Sequence, residues 1–328
     1  MAQGMLFGSF SLEQGSNAID LRMTPIKTGR VRMSQKMLSA LASALFAAAL
    51  TTSAPAQAPQ APAYATTKVE GTDNVYIFRY ANHQSMFIVT KAGVIATDPI
   101  SLRRPAAKAY IEEIRKITQA PIKYVIYSHA HYDHIAGGKP FKDLGATFIA
   151  HKNAKARILE LKPDDVVVPD QVVDKQKTIN LGGTTLELIY VGKNHSDSTL
   201  VMRLPKEKII FTVDWIPLGA VQFREMADTY IPDIEEGLKK VIAMDWDKLI
   251  AGHPGPGGRQ TGTKDDARNQ LAYLQDLSAA VKKAVNEGKS YADAEKEIKL
   301  PKYEKWGGYE AFLQMNIERY YDFHNRGI

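Results

Sequence analysis

The side chains able to do chemistry crowd into one stretch, Ser128-His129-Ala130-His131-Tyr132-Asp133-His134, with four potential metal ligands within six residues. Imidazole nitrogens and carboxylate oxygens are the borderline donors that zinc accepts. Alternation along an extended segment sends His129 and His131 to one side, while Asp133 and His134 can reach a second point nearby. One compact loop could therefore serve two ions. The plain alternative is a solvated histidine-rich turn, since so many polar groups cannot all serve a core.

Three further residues share the same local setting. His195 follows the apolar run ending at Tyr190-Val191-Gly192, Asp214 closes Ile209–Val213, and His253 follows Leu249-Ile250-Ala251-Gly252. Alone, each reads more simply as a surface histidine, a turn residue or a helix cap. Together they form a set, because ligands commonly bind just beyond the carboxyl ends of strands in α/β sheets. Two ions sharing a water would lower its pKa toward about 7 and supply hydroxide to a carbonyl or phosphoryl centre, with Asp133 orienting the nucleophile and relaying its proton. The chain has no cysteine, so thiol nucleophiles and disulfides are excluded and any metal site must use His and carboxylates. Ser128, Ser196 and Ser198 read as loop hydroxyls rather than nucleophiles, and His151 and His324 as non-ligands. Tyr80 and His83 could line one side of a cleft, and Trp215-Ile216-Pro217-Leu218 with Phe223 an apolar wall opposite.

The elements that must position these residues follow from apolar periodicity. Val75–Tyr80, Met86–Val89 and Val94–Thr97 read as an antiparallel meander, with Gly93 at a turn. Arg104–Thr118 has helical spacing, and Ile122–Tyr127 is a buried strand leading directly into the histidine motif. Phe148–Ala150 and Val166–Val168 read as extended, with Asn153–Leu161 helical between them. Thr184–Tyr190, Thr199–Leu204, Lys208–Val213 and Lys248–Ala251 form a second group of strands. Asp233–Met244, most of Thr263–Gly288 and Tyr309–Phe323 are expected helices. Two sheets with outer helices fit this order.

With the motif and its later partners in place, the chain resembles the metallo-β-lactamase superfamily: H-x-H-x-D-H, a later His, an Asp closing a strand and a final His after Gly, over roughly residues 70–260. The resemblance implies an α/β fold, a four-layer αββα sandwich. It implies two Zn2+ per chain, with iron or manganese as alternatives. His129, His131 and His195 would hold the first ion, Asp133, His134 and His253 the second, and Asp214 would bridge. Asp98 matches an early strand-end Asp that orients a ligand. Zinc β-lactamases of this pattern generally carry Cys or Ser where Asp214 stands, whereas lactonases, thioesterases and related esterases carry Asp. The implied function is hydrolysis of an ester, lactone or similar small-molecule carbonyl substrate. The alternatives are β-lactam hydrolysis, an iron-dependent sulfur dioxygenase and a non-catalytic metal-binding protein.

Organisation outside the site is read from charge and composition. Arg30, Arg32 and Lys36 precede an apolar run from Met37 to about Leu50, then Ala54-Pro55-Ala56, the order of a secretory signal over residues 33–56. Residues 1–32 would be a mis-assigned extension, residues 57–69 a flexible linker, and residues 70–328 a single catalytic domain with C-terminal helices. The expected location is periplasmic or secreted, with no stable membrane anchor after cleavage. The formal charge of +6 falls to +3 once the segment through Ala56 is set aside, so no nucleic-acid partner is expected. No sequence pattern assigns an oligomeric state.

Overall fold

The computed structural model describes residues 63–328. The expected extension, the signal segment and the first part of the linker lie outside the described residues. Two sheets account for all the strands that follow.

The first sheet runs in chain order through β1 (Tyr64–Lys68), β2 (Val75–Tyr80), β3 (His83–Thr90), β4 (Gly93–Thr97), β5 (Ile122–Ile126), β6 (Thr147–His151) and β7 (Gln171–Val173). Its first four strands are antiparallel, and β4 through β7 are parallel. The parallel strands need crossovers, supplied by α1 (Ala106–Ile117), then α2 (Tyr132–Ile135) with α3 (Lys139–Asp143), then α4 (Lys152–Leu161). The second sheet contains β8 (Gln176–Leu181), β9 (Thr184–Ile189), β10 (Val201–Leu204), β11 (Ile209–Val213), β12 (Lys248–Gly255) and β13 (Arg259–Gly262). Only β11 and β12 pair in parallel in this sheet, joined through α5 (Asp233–Ala243). The chain ends with α6 (Lys264–Asn286), α7 (Tyr291–Glu297) and α8 (Tyr309–Arg326).

Alternation along the strands sorts the core into layers. Met86 and Ile88 of β3 meet Leu186, Leu188, Phe211 and Ile250 of the second sheet in one buried cluster. Phe87, between them in sequence, turns the other way and packs with Tyr110 and Ile114 of α1. On the far side, Ile210 and Leu249 pack with Leu238 of α5, Leu274 of α6 and Ile317 of α8. The order is helices, sheet, sheet, helices, the expected αββα sandwich.

Three local expectations change. Residues 64–68, expected within a flexible linker, form β1, whose five residues pair with β2 from Tyr64↔Tyr80 to Lys68↔Tyr76. Residues 166–168 are not a strand. Pro163 and Pro169 flank them, and proline removes a ladder donor and constrains its predecessor, so pairing with β6 begins only at Gln171. The polar strand β8 was absent from the apolar pattern, yet Gly182-Gly183, both at positive φ, turns it back onto β9 as a two-residue hairpin. Among the described residues, no helix is long and apolar enough to cross a membrane.

Candidate metal centre

The histidine motif leaves the end of β5 and forms a single helical turn. Ser128 and His129 are fully buried, His131 starts the turn, and Asp133 and His134 lie within α2. The backbone N–H of Ser128 donates to Asp98 Oδ1 at 2.8 Å, and the N–H of Ile100 donates to the carbonyl of His134 at 2.8 Å. The segment after β4 is thereby stitched to the ligand turn. The second sheet brings the other residues: His195 beyond β9, Asp214 immediately after β11, and His253 within β12.

Seven expected residues converge, joined by His83, the first residue of β3. One group is His129, His131, His195 and Asp214; the other is His83, Asp133, His134 and His253. Within each group the donor atoms lie within 4.8 Å of one another. Asp214 stands between them, with Oδ2 3.1 Å from His134 Nε2, 3.6 Å from His129 Nε2 and 3.7 Å from His195 Nε2. Its Oδ1 is 3.3 Å from His253 Nε2.

Backbone detail aims Asp214 inward. The β11–β12 register shifts between Phe211 and Val213, and Val213 has φ of 58°, a left-handed conformation that a β-branched residue adopts only under constraint. Gly252 makes room opposite. A β-carbon there would collide with Asp214 Oδ1 and with Val213 Cγ1.

The outer ring nitrogens are mostly held. His129 Nδ1 lies 2.8 Å from Ser128 Oγ, and His253 Nδ1 lies 2.6 Å from the carbonyl of Asn82. His134 Nδ1 faces Asp98 Oδ2 at 3.5 Å. His131 Nε2 meets Asp228 Oδ2 at 2.6 Å, leaving Nδ1 to face His195 Nε2 at 3.1 Å. Such partners fix ring orientation in metal sites. Asp228 comes from the loop between β11 and α5, which α8 grips: Arg319 Nη2 donates to the Thr229 carbonyl, and Asn316 Nδ2 to those of Gln222 and Arg224.

Charges divide unevenly across the centre. Burial lowers the pKa of His129 well below the usual histidine value and pushes His195 down to about 4, so both are neutral lone-pair donors near pH 7. Burial also disfavours charge on His134, but Asp214 and Asp98 outweigh it and raise its pKa well above the ordinary value. Burial acts to raise Asp133 and Asp214, yet both are held below the usual carboxylate range, Asp133 by His83 and His134, Asp214 by His134 and His253. His129 Nε2 and Asp214 Oδ1 are buried without any hydrogen-bond partner. Orphaned donors of this type in a fully buried position fit divalent cations, which satisfy lone pairs that no N–H reaches.

Other expected residues fall elsewhere. Trp215, Ile216 and Leu218 are fully buried in the core between the second sheet and its helices, so they form no wall of a cleft. Phe223 is exposed and packs edge-on against Phe312 of α8. Tyr80 stacks on Tyr64 at a centroid distance of 6.0 Å. Ser196 and Ser198 share a buried hydroxyl network with Thr199. His151 caps α4 and meets the Asp174 carbonyl, and His324 pairs with Ser278, both away from the centre. The sequence reading placed His83 only as cleft lining and passed over Asp228 and Arg104. His83 opens β3, but the apolar pattern of that strand begins only at Met86, and nothing local marked the other two.

Two sheets packed face to face, with paired His/Asp groups at the ends of their strands, define a metal-binding αββα sandwich. The profile of the metallo-beta-lactamase superfamily matches residues 83–253, more than half of the chain, and the protein belongs to that superfamily. Hydroxyacylglutathione hydrolase from Pelagibacter ubique is 39% identical over 200 residues, covering 60% of this chain and 73% of that protein. The 2,4-dinitroanisole O-demethylase subunit alpha of a Nocardioides species is 23% identical over 200 residues, covering 58% of each chain. The chain thus spans less than two thirds of the length of that relative, as it does of metallo-beta-lactamase type 2 from a Bacillus species. Among solved structures, the sec-alkylsulfatase Pisa1 from a Pseudomonas species superposes with a TM-score of 0.64 at 17% identity, over 79% of this chain and 50% of that one. That likeness concerns the fold. Metallo-beta-lactamase type 2 and hydroxyacylglutathione hydrolase, both named for hydrolysis, are among the relatives.

Proposed function

We propose that the protein is an exported hydrolase with a two-metal centre that opens an ester, lactone or similar carbonyl substrate. The observation that carries this reading is the position of Asp214, whose Oδ2 faces His129 and His195 of one group as well as His134 of the other, while its Oδ1 faces His253. His129, His131 and His195 would hold one ion, Asp133, His134 and His253 the other, and Asp214 would belong to both. Bound there, a divalent pair supplies Lewis acidity and makes water a stronger acid. The chain's own residues do the rest. Asp133 is partly open to solvent and hydrogen-bonded to His83, which suits a carboxylate that orients an incoming water and accepts its proton. Buried Ser128 and Asp98 hold the ligand turn still, so little reorganisation is needed as charge develops. Export rests on the charged, apolar and small-residue order of residues 30–56.

The test is elemental analysis of the purified chain with a panel of ester, lactone, thioester, phosphodiester and β-lactam substrates. About two zinc ions per chain and turnover of a carbonyl ester or lactone support the reading. Stoichiometric iron with no hydrolysis would sink it in favour of sulfur oxidation. N-terminal sequencing of periplasmic material, expected to begin near Gln57, tests export, and an intact chain found only in the cytosol removes that part.

A further inference from the structure

Beside the second histidine group stands a guanidinium without a counter-charge. Arg104 follows β4 in the segment tied to the ligand turn, where Ser101 N–H donates to the Ala136 carbonyl and Ser101 Oγ donates to the Arg104 carbonyl. Its Nη2 lies 3.3 Å from His83 Nε2, and His83 Nε2 is 3.1 Å from Asp133 Oδ2. The Nε of Arg104 is buried with no hydrogen-bond partner. Among the described residues, no carboxylate lies within ion-pair distance of it.

An arginine stays charged in a protein and presents donors only. His83 is a poor partner for it, because one ring nitrogen cannot accept from Arg104 and donate to Asp133 at once. A fixed cation next to a site suited to divalent ions raises the local positive charge, and Asp133 and Asp214 are the only carboxylates in the two groups. The same arginine lines an open cavity of about 260 Å³ with Arg103, Lys108 and Ser101, where Asp165 is the one acid. An oxyanion with several acceptor oxygens would satisfy the guanidinium fork and offset the excess.

From this arrangement we infer that Arg104 selects substrates carrying an anionic group, a carboxylate, phosphate or sulfate, set apart from the bond that is cleaved. The inference rests on the hydrolase reading above and adds a substrate class to it. Arg104 binds the anion, and the chain that bears it runs from there toward the cleaved bond.

The experiment compares zinc-loaded wild type with R104Q and R104K on two matched esters, mono-4-nitrophenyl glutarate and neutral 4-nitrophenyl butyrate. The wild type should prefer the anionic ester by about tenfold or more in kcat/KM, equivalent to about 1.4 kcal/mol. That ratio should fall near unity in R104Q and lie between the two in R104K, which keeps the charge but loses the fork. An unchanged ratio in both variants overturns the inference and leaves the hydrolase reading standing. Calorimetric titration of glutarate, phosphate and sulfate needs no turnover. At least tenfold weaker binding of one anion to R104Q supports the inference and identifies the group, and equal affinities for all three in every protein overturn it. Absence of any ester hydrolysis alongside a clear binding difference counts against the hydrolase reading alone.

Discussion

The two histidine groups are built to different standards. In the group of His129, His131 and His195, buried Ser128 and the Asp228 carboxylate hold two rings by their outer nitrogens, and burial keeps His129 and His195 neutral donors. In the group of His83, Asp133, His134 and His253, His83 Nδ1 has no partner, Asp133 is about a third exposed, and His134 favours its protonated form. Preorganisation and openness are thus separated by a few ångströms. The first group suits permanent retention of an ion, and the second suits exchange with substrate and solvent at the side where Arg104 waits.

The comparison breaks most completely at the residue both groups share. Asp214→Ser removes the charge between them, so metal content should fall toward one ion per chain. Loss of Lewis-acid stabilisation should then cut kcat by about 100-fold or more. Full metal content and full turnover in that variant would show the carboxylate to be incidental. Asp228→Asn is more selective, because it removes the charge that orients His131 but leaves the second group untouched. Chelator competition should show first-site affinity lower by about 10- to 100-fold, the range for lost partners of metal-bound histidine. Equal weakening of both sites would mean that the groups are not independent.

Acidity separates them in another way. The pKa of His134 is raised, so near pH 7 the metal-free residue keeps a proton that an incoming ion must displace; His129 and His195 carry none. Affinity of the second site should therefore rise with pH through the His134 transition, while His129 and His195 add no proton release to binding at the first. Calorimetry in buffers of different ionisation enthalpy reads this directly as protons released per ion. The smallest effect is expected from Arg319→Ala, which removes a hydrogen bond from α8 to the Asp228 loop, worth about 1 kcal/mol. First-site affinity should drop by a factor of about 2 to 5, and an unchanged value would confine α8 to core packing.

The sequence made the ligand turn legible because His129, His131, Asp133 and His134 are local to one another and follow a strongly apolar strand. His195, Asp214 and His253 were legible through a weaker but repeated cue, a polar residue at the end of an apolar run. Arg104 and Asp228 were not. Arg104 lies in a segment whose placement depends on hydrogen bonds to α2, and Asp228 meets His131 across 97 positions of chain through a loop gripped by α8. The same limit applies to Trp215 to Leu218: an apolar run after a strand looks alike in sequence whether it lines a cleft or fills a core. Strands β1 and β8 were missed because edge strands tolerate polar residues on their open sides, which dilutes the period-2 signal.

The junction of β3 with β12 carries a further consequence. Gln84 Nε2 donates across it to the carbonyls of Ala251 and Gln260, one residue from His83 and two from His253. A complete centre therefore exists only after the two sheets have docked, and no fragment confined to one sheet can assemble it. Any ion held by residues of both sheets binds the docked state and not the separated one, so free metal concentration becomes a folding variable. At 100 times its dissociation constant, one such ion adds about 2.7 kcal/mol to the docked state. The midpoint of thermal unfolding would then track metal supply, making the joint between the sheets a thermodynamic gauge of the medium in which the protein folds.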